Sequence, residues 1–77
     1  MSYLPDNLKK IRQASGLSQS EFARLIKVKR PTYATYESGV MPKGYAINTI
    51  SEVTGIHTNV LLNTPINHLV INDAVVN

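Results

Sequence analysis

Residues 17–39 read LSQSEFARLIKVKRPTYATYESG, and this stretch decides the fold. Ser18 and Glu21 have the capping-box spacing, in which a serine accepts an amide hydrogen bond and a glutamate three residues later reaches back. A helix is therefore expected to begin at this point. A second helix ends at Gly39, and proline is tolerated only in a first helical turn, so Pro31 places its start near residues 29–30. The stretch predicts two short helices joined by a tight turn.

Further helices flank this stretch on both sides. Before it, Pro5 favours a helix start and Gly16 favours a helix end. After it, apolar residues recur at every third position and predict a fourth helix: Ile47, Ile50 and Val53. A short fifth helix follows, capped by His57 or Thr58. The expected fold is all-α, with five short helices in one compact domain over residues 1–63.

Length and composition exclude several classes of protein. A chain of 77 residues has room for one small core. It has no cysteine, and His57 and His68 have no companion ligands, so we expect no disulfide, metal or other cofactor. The carboxylates are scattered, and neither a catalytic triad nor a glycine-rich phosphate loop occurs, so an enzyme is not expected. No apolar run is long enough for a membrane span, which predicts a soluble, cytoplasmic protein.

The charges are distributed unevenly along the chain. All eight Lys and Arg residues lie at or before Lys43, opposed there by three carboxylates, which gives 8 − 3 = +5 for residues 1–43. From Gly44 onward there is no Lys or Arg, and Glu52 and Asp73 give −2. This asymmetry indicates that one end of the protein meets a polyanion.

The tail, residues 64–77, differs in character from the rest of the chain. It is rich in β-branched and apolar residues and has little helical period, while Asn72-Asp73 is a plausible turn. The sequence leaves three alternatives open. The tail forms a β-strand or hairpin that pairs with the same tail of a second subunit, packs against its own domain, or is disordered.

Two motifs carry a resemblance to a known family. Leu-Ser-Gln-x-x-Phe-Ala at residues 17–23 and Tyr-Glu-x-Gly at residues 36–39 stand at the separation found in the phage repressor and Cro type of helix-turn-helix proteins, often called Xre-like. The chain resembles this family over residues 7–63 without an obvious gap. The resemblance implies a five-helix, lambda-repressor-like DNA-binding domain whose second motif helix, about residues 30–38, enters the major groove.

The resemblance also implies roles for individual residues. The positions that face the bases in similar proteins are Arg30, Pro31 and Thr35. Those expected to contact the DNA backbone are Ser18, Gln19, Lys29, Ser38 and Lys43. Arg12 and Glu37 match a pair that forms a structural salt bridge in related domains. Among the base-facing residues Arg30 is the strongest prediction, because arginine can bind guanine O6 and N7 with two hydrogen bonds.

Three departures from the family pattern affect these expectations. Lys27 stands where the turn usually holds a glycine, and Lys29 stands where a Ser or Thr cap is usual, so the second motif helix is expected either at its usual start or one residue late. Pro31 replaces a polar base reader. Lys27, Lys29 and Arg30 add three positive charges at this end of the helix, which predicts phosphate-driven binding that weakens as salt rises.

The sequence therefore predicts a bacterial or phage-encoded transcriptional regulator that binds double-stranded DNA. We expect a repressor that acts as a homodimer on an inverted-repeat operator, with the surface from the fifth helix through the tail as the dimer interface. The alternative is a protein-interaction module, an antitoxin-like or antirepressor subunit. Its tail, residues 64–77, would bind a protein partner, and its DNA binding would be secondary.

Overall fold

The computed structural model describes residues 2–66, which form five helices and no strand. The helices are α1 (Leu4–Ala14), α2 (Gln19–Leu25), α3 (Arg30–Ser38), α4 (Gly44–Thr54) and α5 (Thr58–Asn63). Helix α3 packs against α1 and α2, while α5 packs against α1 and α4. The predicted all-α, five-helix fold is confirmed.

The core is one cluster to which every helix contributes. Its buried members are Leu4, Leu8, Ile11, Phe22, Ala23, Ile26, Tyr33, Tyr36, Ile47, Ile50, Ile56, Leu61 and Ile66. The Tyr33 ring lies at its centre, 5.2 Å from the Phe22 centroid and 6.3 Å from the Tyr36 centroid, the latter pair edge-to-face. Tilted and edge-to-face pairs of this kind are favoured by the ring quadrupoles. These contacts fix the inner face of α3.

The helix ends follow the local signals of the sequence. Ser18 Oγ accepts the Glu21 amide at 3.1 Å, and Glu21 Oε1 accepts the Ser18 amide at 2.9 Å, which completes the capping box at the start of α2. Helix α3 begins at Arg30 with Lys29 as N-cap, so it does not start late. Of the two predicted caps for α5, His57 is the one used, and its Nδ1 accepts the Asn59 amide at 3.1 Å.

The fourth helix predicted from Ile47, Ile50 and Val53 is present as α4, but only the first two of these side chains are buried, and Val53 is 42% exposed. Thr54 is buried in its place, at 3% exposure, and its hydroxyl donates to the Ile50 carbonyl at 2.8 Å. The physical reason is that an α-helix has 3.6 residues per turn. Residues spaced three apart therefore drift around the helix, and after two such spacings the side chain no longer faces the core.

A buried asparagine that the sequence pattern did not reveal holds the beginning of the tail. Asn7 is fully buried, and its Nδ2 donates to the carbonyls of Leu61 at 2.8 Å and Thr64 at 2.9 Å. Its Oδ1 accepts the Ile66 amide at 3.0 Å, and the Ile66 side chain lies in the core. Residues 64–66 are thus attached to the helical domain. The predicted hairpin and its turn at Asn72-Asp73 fall outside the described residues, and the division of the chain after residue 63 stays a prediction.

Candidate nucleic-acid interface

Helix α3 has a buried face and an exposed face, and the predicted base-facing residues lie on the exposed one. Tyr33 and Tyr36 point into the core. The exposed residues of α3 are Arg30, Pro31, Thr32, Thr35 and Ser38. The major groove of DNA is wide enough to admit an α-helix, so these side chains form a surface that can contact base edges.

An ion pair ties the end of α3 to α1. Arg12 Nε lies 2.7 Å from Glu37 Oε2, and Arg12 Nη2 lies 3.3 Å from Glu37 Oε1, so the two side chains meet through parallel hydrogen bonds. The side chains are only 14% and 8% exposed. Such bidentate pairs are directional as well as strong. The pair therefore fixes the orientation of α3 relative to α1.

Two further side chains donate to the same carboxylate. Gln19 Nε2 donates to Glu37 Oε1 at 3.2 Å, and the Tyr33 hydroxyl donates to Oε2. Arg12 also donates through Nη1 to the Leu17 carbonyl at 3.0 Å. The network thus joins α1, α2 and α3. The part that Tyr33 takes in this network was not predicted, although its spacing of four positions from Glu37 on one helix was the available signal.

The network keeps Glu37 charged at neutral pH. Burial alone would raise the pKa of Glu37, but the hydrogen bonds from Arg12, Tyr33 and Gln19 outweigh burial and bring the pKa below its ordinary value of 4.5. Burial, together with the hydrogen bond to Glu37, raises the pKa of the Tyr33 hydroxyl. Tyr33 therefore remains a protonated donor to a charged acceptor.

Ser18 and Gln19 lie together at the start of α2 with donors still available. The Ser18 hydroxyl accepts a hydrogen bond from Glu21, but its own hydrogen has no acceptor within residues 2–66. Gln19 uses one amide hydrogen on Glu37, and its side-chain amide carries a second. Both side chains can donate to a phosphate oxygen while they keep their structural hydrogen bonds.

Two hydroxyls on the outer face of α3, those of Thr35 and Ser38, are already bonded to their own helix. Thr35 Oγ1 donates to the Thr32 carbonyl at 2.6 Å, and Ser38 Oγ donates to the Ala34 carbonyl at 3.0 Å. In this arrangement Thr35 can accept from a base amino group or place its methyl against a thymine. Ser38 must rotate its hydroxyl before it can donate to a phosphate.

The lysines and arginine at the leading end of α3 carry no paired charge. Lys27, Lys29 and Arg30 are all exposed, as is Lys43 at the start of α4. Within the described part of the chain, the Arg12–Glu37 pair is the only salt bridge. The unpaired cations therefore present their full charge to an incoming anion.

Residues 2–66 meet neither the requirements of a metal site nor those of a membrane-spanning helix. This region contains no group of three His, Cys, Asp or Glu residues that could hold a metal ion. None of its helices is long and apolar enough to cross a membrane.

Comparison with known proteins agrees with the geometry of the two motif helices. A family model described as helix-turn-helix matches residues 8–61, which is well over half of the chain. No curated protein and no solved structure matches the chain. The matched segment contains α2, the turn and α3, together with both partners of the Arg12–Glu37 ion pair. The chain therefore belongs to the Xre-like helix-turn-helix family of DNA-binding transcription regulators.

Proposed function

We propose that this protein is a sequence-specific repressor that binds double-stranded DNA as a homodimer, with α3 in the major groove. The observation that carries the proposal is the two-sided character of α3. Its inner face is held by the aromatic core and by the Glu37 network. Its outer face is free and lies beside unpaired cations. A rigidly held helix with exposed polar groups is what base recognition requires.

Arg30, Pro31 and Thr35 are the proposed base contacts. Arg30 is exposed in the first turn of α3, and its planar guanidinium matches the O6 and N7 acceptors of guanine. Pro31 has no amide hydrogen and offers only an apolar surface, suited to a thymine methyl. Thr35 stands four residues further on, about one helical turn away, and reaches a neighbouring base pair.

Ser18, Gln19, Lys29, Ser38 and Lys43 are the proposed contacts to the DNA backbone. They lie at the start of α2 and at the two ends of α3 with the loop that follows it. Contacts of this kind position a protein without specifying sequence. Each phosphate that a cation neutralises adds to the salt dependence of binding.

The proposed dimer interface runs from α5 through the tail. Residues from Gly44 onward carry no Lys or Arg, so this end can approach a second copy without repulsion between cations. A two-fold dimer places its recognition helices about 34 Å apart, so the operator is an inverted repeat with half-sites about one helical turn apart or a multiple of it. Such an operator lies in bacterial or phage DNA in the cytoplasm. A dimer bound to it excludes other proteins from the same site, and for this reason we assign the protein as a repressor.

Selection of bound duplexes from a random DNA pool tests the proposal, at about 150 mM salt, where nonspecific phosphate binding is already weakened. We expect enrichment of an inverted repeat, whose half-site spacing then gives the geometry of the dimer. Binding that enriches no sequence and fades uniformly as salt rises would contradict sequence-specific repression.

Two substitutions of Arg30 test the base contact on the selected operator. Arg30→Ala is expected to weaken binding by about 1 to 3 kcal/mol and to relax specificity at one base position. Arg30→Lys is the matched control, because it keeps the charge but loses the bidentate geometry. If the lysine variant binds every sequence as the unaltered protein does, Arg30 contacts a phosphate and not a base.

A second candidate function is the protein-interaction module, antitoxin-like or antirepressor. Its partner-binding tail lies almost entirely outside the described residues, but the helical domain offers a protein partner a second surface, an apolar groove of about 300 Å³ lined by Leu4, Pro5 and the loop after α3. Val40 and Met41 at its rim are 57% and 53% exposed. Deleting residues 67–77, which leaves Ile66 in the core, discriminates between the two functions. Loss of dimerisation and DNA binding supports the repressor, whereas loss of neither leaves the tail free for a protein partner.

A further inference from the structure

Four residues just beyond helix ends have a positive φ angle, and one of them is not glycine. Three are Gly16, Gly39 and Gly55, with φ of 71°, 120° and 72°. The fourth is Lys27, in the turn between α2 and α3, with φ of 63°. A side chain with a Cβ clashes with the backbone in this region, whereas glycine adopts it freely.

The turn itself imposes this conformation on Lys27. The Lys27 amide donates to the Arg24 carbonyl at 3.2 Å, and the Val28 amide donates to the Ala23 carbonyl at 3.0 Å. These two bonds are the pair that closes a helix with a left-handed residue at its end. They also direct Val28 onto the core, against which it packs. The path from α2 to α3 therefore requires positive φ at residue 27, whatever its side chain.

The Lys27 side chain forms no ion pair within residues 2–66. It is exposed, and no carboxylate of residues 2–66 lies within 4.0 Å of its amine. Residues 24–30 contain four cations, Arg24, Lys27, Lys29 and Arg30, and no carboxylate. A lysine is thus less stable than a glycine at this position, because only glycine adopts positive φ without strain.

We propose that Lys27 binds a DNA phosphate at the edge of the groove that α3 occupies, and that the domain retains a strained turn for this contact. The inference rests on the proposed DNA-binding function, in which the leading end of α3 approaches the duplex. Backbone strain of this kind is found where a functional contact compensates for it. The long lysine side chain lets the charge reach a phosphate from a turn that itself stays outside the groove.

Three variants separate the charge from the backbone strain. Lys27→Gly removes both the charge and the strain, Lys27→Gln removes the charge alone, and Lys27→Arg keeps both. Thermal unfolding is followed by circular dichroism, and binding to the selected operator is measured across a salt series. We expect Lys27→Gly to raise Tm by about 4 to 8 °C and Lys27→Gln to leave it nearly unchanged.

Binding is expected to change in the opposite direction to stability. Both uncharged variants lose about five-fold in affinity at about 150 mM salt, and the slope of log K against log salt falls by about 0.9, the value for one phosphate contact. Lys27→Arg binds as the unaltered protein does. The same protein is therefore more stable and a weaker binder when residue 27 is glycine.

Three results would overturn the proposal. Uncharged variants with unchanged affinity and slope would show that Lys27 touches no phosphate, although the unaltered protein binds DNA. Weaker binding by Lys27→Gly alone would assign the loss to turn flexibility and not to charge. An unaltered protein that binds no duplex at all would overturn the proposed function together with this contact.

Discussion

Replacing Glu37 by glutamine would break the network that holds α3 against α1 and α2. Glutamine keeps the shape of the side chain but removes the charge, and it turns one acceptor into a donor. That donor faces Arg12, which has no acceptor, whereas Gln19 and Tyr33 must reorient before they can accept from it. Arg12 keeps its hydrogen bond to the Leu17 carbonyl but loses its counter-ion. The expected result is a folded but substantially less stable domain.

The size of the effect follows from how well the ion pair is shielded. Breaking a buried pair costs about 3 to 5 kcal/mol, whereas an exposed pair contributes about 0 to 1 kcal/mol. The side chains of Arg12 and Glu37 are 14% and 8% exposed, close to the buried case. Allowing for this residual exposure and for the remaining amide oxygen, we expect a loss of about 2 to 3 kcal/mol. In a domain of this size such a loss lowers Tm by about 10 to 20 °C.

The pH dependence gives an independent check on the same side chain. Because the pKa of Glu37 is below its ordinary value of 4.5 in the folded protein, its contribution to stability is fully present above that pH. The contribution is lost as the pH falls through the folded-state pKa. Glu37→Gln has no carboxyl at this position, so the difference in unfolding free energy between the two proteins should shrink on acidification.

Urea unfolding followed by circular dichroism, at pH 7 and at several acidic values, measures both effects. Glu21→Gln is a matched control, because a backbone hydrogen bond from Ser18 lowers the pKa of Glu21 too, but this carboxylate is exposed and forms no ion pair with any of residues 2–66. The reasoning is refuted if Glu37→Gln is as stable as the unaltered protein at pH 7. It is also refuted if the two proteins lose stability in parallel as the pH falls.

Two further substitutions test the packing, and urea unfolding is the assay for both. Asn7→Leu removes the hydrogen-bond partner of the Leu61 and Thr64 carbonyls and of the Ile66 amide, and should cost about 3 kcal/mol. A change below about 1 kcal/mol would mean that water replaces the side-chain amide of Asn7. Ile50→Ala, at a fully buried position, should cost about 2 to 5 kcal/mol, whereas Val53→Ala, at a position 42% exposed, should stay within about 0.5 kcal/mol. Equal losses at residues 50 and 53 would contradict the orientation of α4.

Some features of the candidate site could be predicted because they depend on residues that are close together in the sequence. The start of α2 was predictable because the capping box joins residues only three apart, Ser18 and Glu21. The outward position of Arg30 and Thr35 follows from Tyr33 and Tyr36 pointing inward on the same helix. The contacts of these residues with DNA stay predictions.

Features that depend on distant residues were not predictable in the same way. Asn7 is polar and sits in the first helix, and nothing nearby indicates that it binds the Ile66 amide, 59 positions away. The partner of Asn7 is brought close only by the packing of helices. The burial of Thr54 in place of Val53 has a different cause, because a helical repeat of 3.6 residues moves an every-third pattern off the core.

By itself the sequence determined the helix content, the helix ends and the concentration of cations before Lys43, since these depend on caps, glycines and charges within a few residues. Tertiary structure alone decided how the helices are held together. It brought Arg12 and Gln19 to Glu37 across 25 and 18 positions, and it held Lys27 in a conformation that its own side chain disfavours. The physical reason is that propensity and capping are local, whereas burial and ion pairing depend on which surfaces meet in the folded chain.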